Sequence, residues 1–387
     1  MITKRIGIDY TAAVQQQAGI GRYVRHITGA LADVLAADLQ TPAVRLLVQG
    51  ARPASLPAPP DGFTYRRVPL SERTLARIWH RLSLPVPVET FTGRVDLFHG
   101  MDFTLPPTLS GTRTAVTVYD LAFERYPDDT MPGMQRHLAR VVPQSVARAD
   151  RVIAISEATK ADLVELYRVA PERIAVVVPG VDARFNPQHE DGERRRIRAK
   201  YGLPGGDFLL TVGTLQPRKN HARLVEAYAR ALEQTGSEIP LVIAGGRGWA
   251  YGAVHDAIGE LGLAGHVIFP GFVDDADLPA LYRTALAVAY PSLYEGFGLP
   301  VAEAMACGTP VVTSNVSSLP EAAGDAALLV DPLDTDALAD ALVRLLTDDA
   351  LRDDLRARGL AQAAQFTWER SAAALWGVYR GLLGLGG

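Results

Sequence analysis

The sequence predicts an α/β protein of two Rossmann-like domains facing a cleft, and three observations carry that prediction. Short β-branched runs alternate with longer amphipathic stretches, the rhythm of a parallel sheet covered on both faces. The rhythm runs twice, with a break at "IAVVVPGVDARFNP", where Pro179, Gly180 and Pro187 interrupt it. The length of 387 residues suits two or three domains at roughly 150 residues each.

In the first half "RIGID" predicts a strand and "IGRYVRHITGALADVLA" the helix after it; "VRLLVQ", "VDLFHG" and "TAVTVYD" predict further strands, and "RVIAIS" leads into the helical "EATKADLVELY". After the break, the charged "EDGERRRIRAKYGL" reads as a surface helix rather than a core element. The second half repeats the pattern with "FLLTVGTL", "PLVIAGG", "HVIFPGF", "LAVAYPS" and "TPVVTS", each followed by a helical stretch. The closing "FTWERSAAALWGVYRGLL" sets Trp368, Ala372, Leu375, Trp376, Tyr379 and Leu382 near helical spacing, so one face of that helix must pack. The domains expected are residues 1–180 and 181–365, followed by the closing helix 366–387. Ligands of open parallel sheets bind at the carboxyl ends of the strands, where this chain gathers glycines, Lys219 and Glu295.

Composition narrows the function. A net charge of -4 gives no broad electrostatic footprint for nucleic acid. The single cysteine, Cys307, excludes an intrachain disulfide, and "MITKRIGIDY" lacks the apolar stretch of a secretory signal. No run approaches the roughly 20 apolar residues of a spanning helix. These features predict a cytoplasmic protein that does not cross a membrane, with surface attachment left open. Apart from the short tract Gln15 to Gln17, no low-complexity run occurs.

The stretch "YEGFGLPVAEAMACGTPVV" carries the most chemistry. Gly296 and Gly298 permit a tight turn after a buried strand, and Pro300 suits the first turn of a helix ending near Gly308. Free N–H groups at such a terminus suit a diphosphate. Glu295 before the loop and Glu303, expected in the first helical turn, could hold hydroxylated groups on either side of it. The bland alternative makes Glu303 a partner of the helix dipole and Glu295 a solvated loop residue.

Together these segments resemble glycosyltransferase family 4, retaining enzymes of the GT-B fold with an E-x7-E signature. Besides "EGFGLPVAEAMACGTPVV", the chain shows "AGIGRY", "IAISEATKADL", "VPGVDARFNP", "GTLQPRKN", "VIFPGFVDDADLPALY" and "FTWERSAAALWGVYR" in the family's order. The resemblance implies that Glu295 holds the donor sugar's hydroxyls and Glu303 the nucleotide ribose, and that backbone groups of Gly296, Phe297, Gly298 and Leu299 meet sugar and diphosphate. Val273, in "VIFPGFVDDADLPALY", is a further donor-binding candidate. The resemblance also implies a first domain on the acceptor side, with the closing helix crossing back to it.

The cations of "GTLQPRKN" could neutralise a departing diphosphate, or simply cap the next helix. Lys219 matches the family's lysine. Many members have arginine directly after the glycine, where this chain has Thr214; Arg218 is the candidate to replace it. "AGIGRY" lacks a third glycine and the acidic partner of a dinucleotide fingerprint, so Gly19 and Gly21 are read as a loop near the diphosphate, with a plain loop as the alternative. Tyr119 and Asp120 end a strand on the cleft side, Asp120 as a catalytic candidate; many relatives have histidine at the position of Tyr119. His99 is either a substrate contact or a satisfied buried histidine. Ser156 reads as an N-cap with Glu157 beside it.

"DDAD", Asp274 to Asp277, looks like a metal motif but reads better as helix capping. No His/Cys spacing suggests zinc, so no metal and no cofactor beyond the donor substrate is expected. "RTLARIWHRLSLPVPV" spaces Arg73, Arg77 and Arg81 by four; it either touches anionic lipid or is a solvated helix face packed by Leu75, Ile78 and Leu82. The expected partners are a nucleotide-sugar donor, GDP-mannose before a UDP-sugar, and a glycan or lipid-linked acceptor. The expected reaction is hexosyl transfer with retention in polysaccharide or glycolipid assembly; no glutamate nucleophile is evident, and the family suggests same-face attack. A non-catalytic nucleotide-sugar sensor and a nicotinamide oxidoreductase are the alternatives, the latter short of its glycine fingerprint.

Overall fold

The computed structural model describes residues 3–16, 19–38, 41–50, 56–82, 84–248 and 251–385. Gln17, Ala18 of "AGIGRY" and Ser83 of the arginine-spaced stretch lie outside them. The chain forms two compact units, Met1–Gly180 with Thr367–Gly387, and Val181–Phe366.

The first unit holds β1 (Arg5–Asp9), β2 (Ala43–Gln49), β3 (Phe63–Val68), β4 (Leu97–Gly100), β5 (Arg113–Val118), β6 (Arg151–Ala154) and β7 (Ile174–Val176). They form one parallel sheet in the order β3-β2-β1-β4-β5-β6-β7. The runs Leu97–Gly100 and Thr114–Val118 are buried throughout, as strands covered on both faces must be. The helix Ile20–Ala36 buries Tyr23, Val24, Ile27, Leu31 and Leu35 at helical spacing. The closing helix Trp368–Leu383 belongs to this unit, starting at Thr367, whose side chain accepts the Arg370 N–H. The ring of Trp368 stacks on His26 at 5.2 Å, and the Trp376 indole donates to Asp38 at 2.7 Å.

The stretch around Trp79 is not one regular helix. The helix Glu72–Ala76 passes into a π-helical turn, Arg77–Arg81, closed by the Leu82 N–H donating to the Arg77 carbonyl at 2.8 Å. Leu75 packs as expected, but Leu82 is 63% exposed and contributes nothing to the core.

The second unit holds β8 (Leu209–Val212), β9 (Leu241–Ala244), β10 (Val267–Gly271), β11 (Ala287–Tyr290), β12 (Val311–Ser314) and β13 (Leu328–Val330), all parallel in the order β10-β9-β8-β11-β12-β13. Its core joins Leu224, Tyr228, Leu241, Ile243, Leu338 and Leu342. Two readings need correction here. The helix Glu193–Tyr201 is not simply a surface helix: Ile197 is fully buried, and Glu193 forms a buried ion pair with Arg283, whose Nε donates to it at 2.9 Å. The acids of "DDAD" do not cap by their side chains; Asp277 precedes the helix Leu278–Thr284 but accepts from Arg196 at 2.6 Å, Lys200 at 2.5 Å and Tyr201 at 2.8 Å instead. Burial alone would raise the Asp277 carboxyl, yet these donors bring it down to about 2. Cations four residues apart share one helix face, so the acids serve as its anchor. Among the described residues no group of three or more His, Cys, Asp or Glu is placed to hold a metal ion, and no helix is long and apolar enough to cross a membrane.

Candidate functional site

Strand order in the second unit reverses between β8 and β11, which opens a crevice at their carboxyl ends. Two loops enter it, 213–220 after β8 and 291–298 after β11. The Leu293 N–H donates to the Arg218 carbonyl at 2.8 Å, and the Asn220 amide donates to the Pro291 carbonyl at 3.2 Å. From β12 the hydroxyls of Thr313 and Ser314 donate to the carbonyls of Tyr290 and Ser292, at 2.8 and 2.7 Å. The loops are thus fixed to each other and to the sheet.

Glu295 is the centre of this crevice. Its Oε1 accepts from Lys219 Nζ at 2.6 Å, the Ser292 hydroxyl at 2.6 Å and the Tyr290 hydroxyl at 2.9 Å, with Arg218 Nη1 at 3.3 Å. Its side chain is 11% exposed. Burial would raise its carboxyl, but Lys219 and then Arg218 outweigh burial and hold it at about 2. Arg218 also donates to the Tyr294 carbonyl, and Lys219 Nζ lies 5.0 Å from the centre of the Tyr290 ring. Arg218 therefore joins Lys219 at one carboxylate. Two cations against one anion leave the trio with one net positive charge, suited to an incoming anion.

The glycine loop follows directly. Gly298 has φ +101°, and a Cβ there would stand 2.8 Å from Leu319 Cδ2, so both backbone and packing require glycine. It caps the helix Leu299–Ala306. The Val301 and Ala302 N–H groups return to the Gly298 carbonyl at 3.0 and 3.3 Å, and Pro300 has none, leaving Gly298 and Leu299 as the N–H donors at this helix start. Glu303 is not in the first turn as the sequence suggested but in the second, where dipole stabilisation has fallen off. It is 3% exposed, and its Oε2 accepts from the Tyr282 hydroxyl at 3.4 Å. Phe297 buries its ring edge-on against Phe366 at 5.1 Å and offers a ligand only its backbone; Val273 is buried after β10.

The remaining candidates lie in the first unit. Gly19 is exposed with φ +56° and caps the helix Ile20–Ala36. Gly21 is buried, and a Cβ on it would stand 2.0 Å from the Gln16 carbonyl oxygen, so packing alone requires glycine there. Tyr119 is buried and donates to the Met101 carbonyl at 2.6 Å; Asp120 Oδ1 accepts the Ala122 N–H at 2.9 Å. His99 is a satisfied core histidine, bonded to Tyr379 at 2.5 Å and Thr117 at 2.8 Å, and burial lowers it to about 3. Ser156 is the N-cap of the helix Glu157–Tyr167. Sequence reasoning missed Tyr290 and Ser292, although "AYPSLYEG" puts both within five residues of Glu295.

Two family profiles match the chain, Glycosyltransferase Family 4 over residues 18–185 and Glycosyl transferases group 1 over 193–362. The chain is 35% identical to the O-antigen chain mannosyltransferase B of Escherichia coli over 73% of its own length and 74% of that protein's. It is 39% identical to a D-inositol 3-phosphate glycosyltransferase of Salinispora arenicola, over 62% of this chain and 57% of that one. Its fold matches the sucrose-phosphate synthase of Thermosynechococcus elongatus with a TM-score of 0.75 at 22% identity, covering 99% of this chain and 100% of that one. The paired Rossmann-like units are those of the GT-B fold, and the chain belongs to glycosyltransferase family 4.

Proposed function

We propose that this glycosyltransferase moves a hexose from a nucleotide-sugar, GDP-mannose in preference to a UDP-sugar, to an acceptor hydroxyl with retention at the anomeric carbon. The observation that carries this reading is the convergence of Lys219 and Arg218 on Glu295 at the β8/β11 reversal, beside the Gly296–Leu299 loop. The donor's diphosphate takes the positive charge of Lys219 and Arg218 together with the N–H groups of Gly298 and Leu299. Glu295 and Glu303 accept from the hydroxyls of sugar and ribose.

Leaving-group departure concentrates negative charge on the diphosphate, so preorganised cations and N–H groups stabilise the transition state more than the bound substrate. Glu295 is unsuited to nucleophilic attack, because three hydrogen-bond donors and the neighbouring Arg218 guanidinium hold its Oε1 and its carboxyl sits near 2. That favours same-face attack, the departing phosphate taking the acceptor's proton. The likeness to an O-antigen chain mannosyltransferase supports mannose as the sugar and a glycan of polysaccharide assembly as the acceptor.

Side-chain cations do the work that a metal does elsewhere. Initial rates with GDP-mannose are expected to exceed those with UDP-glucose and to survive EDTA. Faster transfer from UDP-glucose would overturn the donor assignment, and activity lost to EDTA but restored by magnesium or manganese would overturn the metal-free mechanism.

A further inference from the structure

The loop 315–318 after β12 departs from local preference in two places. Ser317 has φ +57°, in the left-handed region, where a residue other than glycine, asparagine or aspartate is uncommon. Ser318 stands at the N-cap of the short helix Leu319–Ala323, yet its side chain makes no capping bond, although serine is among the best capping residues. Both hydroxyls go instead to the backbone of Glu295. Ser317 Oγ accepts the Glu295 N–H at 3.1 Å and donates to the Glu295 carbonyl at 2.7 Å. Ser318 Oγ, fully buried, donates to the same carbonyl at 2.8 Å.

These bonds complete a row. With Thr313 on the Tyr290 carbonyl and Ser314 on that of Ser292, hydroxyls from the one segment 313–318 hold the backbone of 290–295 at each of its polar turns. The next residue, Leu319, is fully buried, and its Cδ2 is the atom that a Cβ on Gly298 would meet. The segment therefore backs the glycine loop as well. Strained backbone clusters at functional sites, and here the strained serine touches the residue whose carboxylate Lys219 and Arg218 share.

We infer that Ser317 is a positioning residue for the sugar transfer: its hydroxyl fixes the backbone of Glu295, and with it the place from which the carboxylate reaches the donor sugar, while Ser318 shares the carbonyl. This rests on the proposed role of Glu295 and adds a residue that acts through it rather than on the donor. Lys219, Tyr290 and Ser292 set the direction of the carboxylate, but they leave open the position of the main chain that carries it. The two serines supply that constraint. Glycine would adopt φ +57° without strain but has no hydroxyl, so serine here gives up backbone ease and gains two hydrogen bonds.

Ser317→Gly on the full chain tests this, because it relieves the backbone and deletes only the hydroxyl. Rates are read as release of the nucleoside diphosphate from GDP-mannose and from UDP-glucose, which needs no particular acceptor, and every variant is compared with the parent on the donor the parent uses faster. Turnover should fall about tenfold, the effect of a displaced sugar contact, while calorimetry finds GDP affinity unchanged and so shows the second unit folded. In the Glu295→Ala background the same substitution should lower turnover no further, since a hydroxyl that acts through the carboxylate has nothing left to place. An equal loss in that background would show a loop role independent of Glu295 and overturn the inference. So would a glycine variant with parental turnover, or one whose GDP affinity falls as far as its turnover, for the loop would then shape the diphosphate site. A parent that prefers UDP-glucose would refute the donor assignment alone, because the variant ratios are taken on that same donor.

Discussion

Glu295→Ala is expected to lower the turnover of sugar transfer by about a hundredfold, the cost of a small misplacement of the reacting carbon. The same substitution leaves Lys219 and Arg218, each 13% exposed at the side chain, without their carboxylate. Removing one partner of a buried ion pair costs about 3–5 kcal/mol, so the ligand-free protein should melt at lower temperature. A nucleoside diphosphate restores a counter-charge, so its stabilising effect should be larger in the variant than in the parent. Glu295→Gln keeps the shape without the charge and should share both defects. Acid sensitivity follows the same carboxylate. Its folded value of about 2 lies below the ordinary 4.5. Its contribution is therefore complete above the unfolded value and is lost as pH falls through the folded one. Acid titration of the glutamine variant should lack that component. Parental turnover together with an unchanged melting temperature in Glu295→Ala would refute this account of the crevice.

Arg283→Ala is expected to destabilise the second unit by about 3–5 kcal/mol, because it leaves the buried Glu193 carboxylate with only the exposed His189, 3.6 Å away, beside it. The two side chains are 6% and 1% exposed, and Arg283 also donates to the Asn186 carbonyl at 3.0 Å. Burial would raise the Glu193 carboxyl, and the bond to Arg283 more than offsets it. The apolar pair Arg283→Met/Glu193→Leu should recover most of the loss, since it removes both charges together. Chemical denaturation measures both variants; a single variant as stable as the parent would mean that the pair holds nothing in place.

Most of the strands that were legible in the sequence are buried on both faces, β10 being half-buried throughout. Continuous runs such as "AVTV" and "LAVAY" are too short for a helix and rich in β-branched or aromatic residues, which makes them strands. β3 escaped because "FTYRRV" puts arginines on an edge strand, and β13 because it is three residues long. The crevice proposed for the donor was legible because its residues lie in two short loops with glycine, proline and charge together. Two things were not. The mutual neutralisation of Lys219 and Glu295 depends on crossover connections that bring positions 76 apart in sequence within one hydrogen bond. The hold of Ser317 on Glu295 likewise joins positions 22 apart, and nothing in "SNVSS" marks one serine for the left-handed region. The helix Glu193–Tyr201 was misread because five charges hid the one buried glutamate that anchors it.

The central claim is that Glu295 and Glu303 hold different parts of one donor, and calorimetric titration of GDP into Glu303→Ala and Glu295→Ala tests it most directly. Loss of a hydrogen bond to a charged group costs about 1.5–3 kcal/mol, or on the order of ten- to a hundredfold in affinity. Glu303→Ala should therefore bind GDP that much more weakly than the parent. Glu295→Ala should bind it as tightly or more tightly, because its cations are freed for the diphosphate while no sugar is present to miss the carboxylate. Equal weakening of GDP in the two variants would contradict the assignment of one carboxylate to the ribose and the other to the sugar.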